Sequence, residues 1–108
     1  MNASVVDSQA SGNAAGFLSD NLGTGGTTLV SLRDVSVTNN QDGVGAAEGG
    51  SGGVTHVTIG RSLIAGNAAL GVVIFAGSGS ASIFSFGDNR FNGNANDGLA
   101  LLTPISAR

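Results

Sequence analysis

A length of 108 residues accommodates a single domain, and 10% charged residues beside 19 glycines separate this chain from an ordinary globular sequence. The 41% hydrophobic fraction, gathered in runs at 29–32, 57–59, 72–75 and 99–102, excludes a disordered chain, because such segments can bury a core. A net charge of −3 with four scattered arginines excludes a nucleic-acid or anionic-lipid surface, and the absence of Cys excludes disulfides and thiolate metal sites while leaving the redox compartment open.

The first predicted strand opens at once, with Ala3 and Val5 apolar around the polar Ser4, the period-two pattern of a half-buried strand. Asp7, Ala10, Asn13 and Gly16 follow, then the short apolar segment Phe17-Leu18 and the loop Gly23-Thr24-Gly25-Gly26. The second stretch repeats this order: Val30 and Leu32 around Ser31, then Asp34, Val37, Asn40, Gly43, Val44-Gly45-Ala46 and the loop Gly49-Gly50-Ser51-Gly52-Gly53. The third has Val57 and Ile59 around Thr58, then Arg61, Ile64, Asn67, Gly71 and Val72-Val73-Ile74. The fourth has Phe84 and Phe86 around Ser85, then Asp88, Phe91, Asn94, Gly98 and Leu99-Ala100-Leu101. Asn13, Asn40, Asn67 and Asn94 stand 27 residues apart throughout, whereas Gly71 and Gly98 each trail their Asn by four residues instead of three, as one extra turn residue would require.

A 27-residue unit of three short strands and three turns cannot hide its apolar side alone. Stacking such units ~4.8 Å apart superposes like residues and encloses a continuous core. The reading is therefore an all-β chain, a right-handed parallel β-helix forming one domain over 1–108, with coils at about 1–27, 28–54, 55–81 and 82–102 and a tail at 103–108. The column of Asn13, Asn40, Asn67 and Asn94 is expected to be a structural asparagine ladder, each amide turned inward to bond turn backbone and its neighbours. Phe84, Phe86 and Phe91 fall in the expected inward columns.

Rival solenoids fit less well. Leu32, Val35, Val37 and Asn40 match the strand of a leucine-rich repeat, but Ala, Asn, Asp and Gly follow where such repeats turn helical, and Gly costs a helix about 1 kcal/mol relative to Ala. A left-handed hexapeptide helix needs a multiple of six, and the calcium-binding β-roll needs an Asp where Gly49-Gly50-Ser51-Gly52-Gly53-Val54 has Val54.

The columns, above all Ile59-Gly60-Arg61-Ser62-Leu63-Ile64-Ala65-Gly66-Asn67 and Phe86-Gly87-Asp88-Asn89-Arg90-Phe91-Asn92-Gly93-Asn94, resemble the right-handed parallel β-helix repeats of bacterial, pectate-lyase-like proteins, over nearly the whole chain. That superfamily includes polysaccharide lyases and hydrolases, phage tailspikes and secreted surface proteins. The resemblance implies the fold, a carbohydrate-facing habit and an extracellular or cell-surface setting; it transmits no reaction, because activity resides in sites and not in scaffolds.

Few residues offer chemistry. Asp34 and Asp88 flanking Arg61 imitate, under the resemblance, the acidic and arginine groups that pectate lyases use for Ca²⁺ and proton abstraction. Against this stands a solvated charge ladder in which Arg61 relieves repulsion between its neighbours, the reading preferred because deep loops are missing. His56, the single histidine, has no His, Cys or carboxylate beside it in sequence and is expected on the outward face near Thr58. Asn2-Ala3-Ser4 matches a glycosylation acceptor, and the Gly-rich loops lack the phosphate-cradling pattern. No catalytic residue, cofactor or metal is expected.

Met1-Asn2-Ala3-Ser4 spells no signal peptide, and no apolar run approaches the ~20 residues of a membrane span, so a cytoplasmic chain, or one whose export signal lies elsewhere, is expected. Met1 leads almost directly into the first strand, whereas Thr103-Pro104-Ile105-Ser106 is expected to fold across the other end. The expected partners are another copy, or neighbouring coils of a longer chain, at the uncapped N-terminal end. The function expected is a non-catalytic structural or self-association module, with polysaccharide binding or a partial lyase-like helix as alternatives.

Overall fold

The computed structural model describes residues 2–21, 26–48, 53–76, 80–98 and 102–105. Among these there is no helix, and every strand pairing is parallel. Twelve strands form three sheets. The first sheet runs β1 (Asn2–Val6), β4 (Thr27–Arg33), β7 (Val54–Gly60), β10 (Ser80–Phe86), β12 (Leu102–Ile105). The second runs β2 (Gln9–Ser11), β5 (Ser36–Thr38), β8 (Leu63–Ala65), β11 (Arg90–Asn92), and the third β3 (Ala15–Asn21), β6 (Asp42–Glu48), β9 (Leu70–Ala76). The chain visits the sheets in turn and comes back to each one strand further along.

The register explains why the sequence repeats. Ala3 lies opposite Val30 and Val30 opposite Val57; Ala10, Val37, Ile64 and Phe91 are likewise successive partners. Period-two alternation then sends Val30 and Leu32, Val57 and Ile59, and Val44 and Ala46 to one side, where Leu32, Val37, Val44, Val57, Ile59, Ile64, Val72 and Ile83 form the core. Parallel sheets so tightly stacked leave room for small residues only at certain corners. A Cβ on Gly43 would stand 2.3 Å from the Gly71 carbonyl oxygen and one on Gly16 2.7 Å from that of Gly43, which accounts for glycine there.

Each of the first three units turns from the first sheet to the second on one residue in the left-handed region: Asp7 at φ 52°, Asp34 at 54° and Arg61 at 47°. The fourth unit differs. Ile83, not Phe84, lies opposite Val57, and Ser85 opposite Ile59, so β10 is displaced by one residue from the expected alignment. The alignment recovers at Arg90 opposite Leu63, the extra residue being taken up in the turn at Gly87-Asp88. A displacement of one residue exchanges the two faces of a strand. Ile83 is fully buried, whereas Phe84 and Phe86 turn outward, contrary to the expectation that they fill the core; only Phe91 packs against it.

Two further expectations change. The extra residue in the third unit falls where Leu70 pairs with Asp42, but Gly98 lies over Val72 and Asp97 over Gly71, because Leu70 bridges to Asn96. Residues 102–105 form β12 alongside β10 as a fifth strand of the first sheet, not a segment laid across the end. Met1, Leu99-Ala100-Leu101, Ser106 to Arg108 and most of the glycine loops after the third strands lie outside the described residues.

Candidate functional site

The turns between the first and second sheets place the charge column on the surface. Arg61 donates from Nη2 to Asp34 Oδ2 at 2.8 Å, with side chains 54% and 34% exposed, and its backbone N–H donates to Asp88 Oδ1 at 3.0 Å. Asp88 therefore caps a turn backbone instead of meeting the guanidinium. At this exposure the ion pair contributes ~0–1 kcal/mol.

Beside it opens a groove of about 530 Å³ lined by Ser31, Arg33, Thr58, Gly60, Arg61, Phe86 and Asp88. The outward turn of Phe86 makes it: the ring lies over Gly60, where an added Cβ would stand 3.3 Å from the ring edge. Arg33 lines the groove without an ion pair among the described residues. Sequence reasoning missed this site because it placed Phe86 in the core; the clue was Gly60, a glycine where the two preceding units carry Arg33 and Val6.

His56 is half-buried on the outward face of β7, its ring 5.3 Å from that of Phe84 and tilted by 42°. Its Nδ1 is buried without a hydrogen-bond partner. Asp34, Arg61 and Asp88 come together; His56 lies apart, two residues or more along the sheet from the groove. Among the described residues no three His, Cys, Asp or Glu side chains gather as metal ligands.

At the next turn the asparagines interlock. The backbone N–H groups of Asn13, Asn40 and Asn67 donate to Oδ1 of Asn40, Asn67 and Asn94 at 3.0, 3.0 and 2.9 Å. The Nδ2 groups of Asn40, Asn67 and Asn94 donate to the carbonyls of Ala10, Val37 and Ile64 in the preceding unit. Asn40 and Asn67 are 2% and 1% exposed, so their polar atoms depend on these bonds. A second, shorter polar file, unnoticed in the sequence, backs the charge column: the Val35 N–H donates to Ser62 Oγ and the Ser62 N–H to Asn89 Oδ1.

One end of the three sheets is left uncovered by the described residues. Between β1 and β3 lies a chamber of about 330 Å³ lined by Ala3, Val5, Phe17, Leu18, Ser19, Val30, Leu32 and Val44, among others. Ser19, 7% exposed, turns its hydroxyl inward with no partner. The strands β1, β2 and β3 are the edge strands of all three sheets at this end. No family model, curated protein or solved structure matches this chain.

Proposed function

We propose that the chain is a right-handed parallel β-helix of the pectate-lyase-like kind, acting as a non-catalytic structural module that associates with itself through the end bounded by β1, β2 and β3. Three parallel sheets visited in rotation support the coiled reading, and parallel crossovers in one sheet are right-handed in about 98% of cases. The observation that carries the function is the end at which β1, β2 and β3 are edge strands among the described residues and an apolar chamber of about 330 Å³ lies between β1 and β3. Unpaired edges and uncovered apolar surface favour association. Light scattering at micromolar concentration tests this: particle mass is expected to rise with concentration, and a well-folded monomer at every concentration overturns self-association.

A second reading is favoured by the groove beside Arg61. Its Ser31 and Thr58 hydroxyls, two arginines and the Phe86 ring suit a polysaccharide, since sugar faces stack on aromatic rings while hydroxyls bond polar groups. Glycan-array binding lost in Phe86→Ala would establish it; an empty array would remove it.

A further inference from the structure

Two registers are compatible with β10. The observed one sets Ala81, Ile83 and Ser85 opposite the buried Thr55, Val57 and Ile59, so these three face inward and Phe84 and Phe86 face out. A slide of one residue sets Ser82, Phe84 and Phe86 there instead and reverses every side chain of the strand. That second register is the one the 27-residue columns describe: Phe84 and Phe86 join the files of Val57 and Ile59, Ser85 joins Ser4, Ser31 and Thr58, and Gly87 stands over Gly60. Only the connections change length. The turn at Gly87-Asp88 gives up its surplus residue, and the segment before β10, Gly77-Ser78-Gly79 in sequence, gains it. Among the described residues β12 pairs with β10 alone and travels with it.

Hydrogen bonding accommodates both states. Asp7 and Asp34 donate their backbone N–H to the carbonyls of Arg33 and Gly60, each the residue before the next turn. Arg61 departs from this rule: its N–H goes to Asp88 Oδ1 at 3.0 Å, a side chain standing in for the Gly87 carbonyl. In the slid register that carbonyl takes the bond, and Asp88 turns the chain alone, as Asp7, Asp34 and Arg61 do in their units. The observed register has its own clasp. Asn89 Nδ2 donates to Ser85 Oγ at 2.9 Å and to the Phe86 carbonyl at 3.1 Å, both in β10. The inward sets are also comparable, Ala81 with Ile83 against Phe84 with Phe86, and Phe91 shows that the core of this unit houses a ring.

We infer that β10 exchanges between these two registers, and that the exchange opens and closes the groove beside Arg61. With Phe86 outside, its ring faces Arg33 across Gly60: an added Cβ there would stand 3.3 Å from the ring and 3.9 Å from Arg33 Cγ. With Phe86 inside, that wall is gone and Gly87 puts no side chain in its place. A ligand that touches Phe86 binds one register only, so it draws β10 toward that register, and its apparent affinity scales with the share of chains already there. The slide breaks the pairing of β10 with β7 and leaves the strand pairs of the first three units intact, a local opening confined to the fourth unit. What the gate admits rests on the polysaccharide reading of the groove; the slide itself does not.

Nuclear magnetic resonance on the unaltered chain tests the exchange. Two sets of β10 signals joined by exchange cross-peaks are expected; in one the Phe84 and His56 rings, 5.3 Å apart in the structure, are in contact, and in the other they are not. Two variants hold the strand at either limit. Deletion of Gly87 removes the residue that the slide needs and is expected to leave only the set with the ring contact. Ile83→Ser takes the large aliphatic group from the observed inward set and is expected to leave only the other set, with strand content by circular dichroism retained. A single set of signals in the unaltered chain overturns the inference, whether or not Ile83→Ser folds, and so does a second set that survives deletion of Gly87. On a glycan array, binding is expected to be strongest for the deletion variant and lost in Ile83→Ser. Exchange with no glycan bound by any chain removes the polysaccharide reading alone, whereas one register with glycan bound removes the gate and leaves that reading standing.

Discussion

Asn67 shows how much one side chain holds in a stacked structure. Its removal strips partners from the buried Asn40 N–H at the turn and from the carbonyl of Val37 in β5. At ~1–3 kcal/mol for each buried group left unpaired, Asn67→Ala is expected to cost about 3 kcal/mol in urea unfolding. Asn13→Ala, at the exposed end of the same file, is expected to cost less than about 1 kcal/mol, since water replaces its bonds. Glycines divide as sharply. Gly43→Ala drives a Cβ into the Gly71 carbonyl and is expected to cost about 3 kcal/mol or more, whereas Gly87→Ala meets nothing within 4 Å and should stay within about 0.5 kcal/mol by the same measurement. The asparagine spacing was open to reading because an amide buried in a turn has few substitutes. The Gly16 and Gly43 positions were visible too, but their cause, backbone stacked on backbone, is a distance that no sequence displays.

At the scale of the strand, β10 marks where reading stopped. Ser80-Ala81-Ser82-Ile83-Phe84-Ser85-Phe86 offers two alternating faces, Ala81 with Ile83 or Phe84 with Phe86, and hydrophobicity alone favours the rings. Packing decides otherwise. Ile83 fits over Val57 at the width set by the preceding units, while the rings find cover outside, Phe84 against His56 and Phe86 over Gly60. The turn at Gly87-Asp88 takes up the difference. Deleting Gly87 should therefore give the fourth unit a one-residue turn at Asp88 like that at Asp34, with strand content by circular dichroism unchanged and stability shifted by no more than about 1 kcal/mol. Loss of strand signal on this deletion would contradict the assigned register. The groove at Arg33 and Phe86 was hidden for the same reason, being a by-product of the slip.

For the molecule as a whole, the ends govern behaviour more than the middle. The interior repeats itself, but Ser19 stands in the inward column with Ala46 and Ile74 where the open chamber begins, its hydroxyl unpaired. Ser19→Val removes that hydroxyl and adds apolar surface to a space able to hold it, so the variant is expected to gain about 1 kcal/mol, read as a higher Tm. A lower Tm would mean that the hydroxyl is bonded in solution. All-β character with parallel strands was legible from the 27-residue columns; that residues 102–105 add a fifth strand to the first sheet came only with the structure.

The residues added at Ala69-Leu70 and at Gly87-Asp88 both fall at bends, and the strands that follow, β9 and β11, pair without interruption. Length is thus tolerated at the bends and forbidden along the straight runs. That makes the bends natural grafting points: a foreign peptide spliced there would leave the paired strands on either side in register, its content left to the designer.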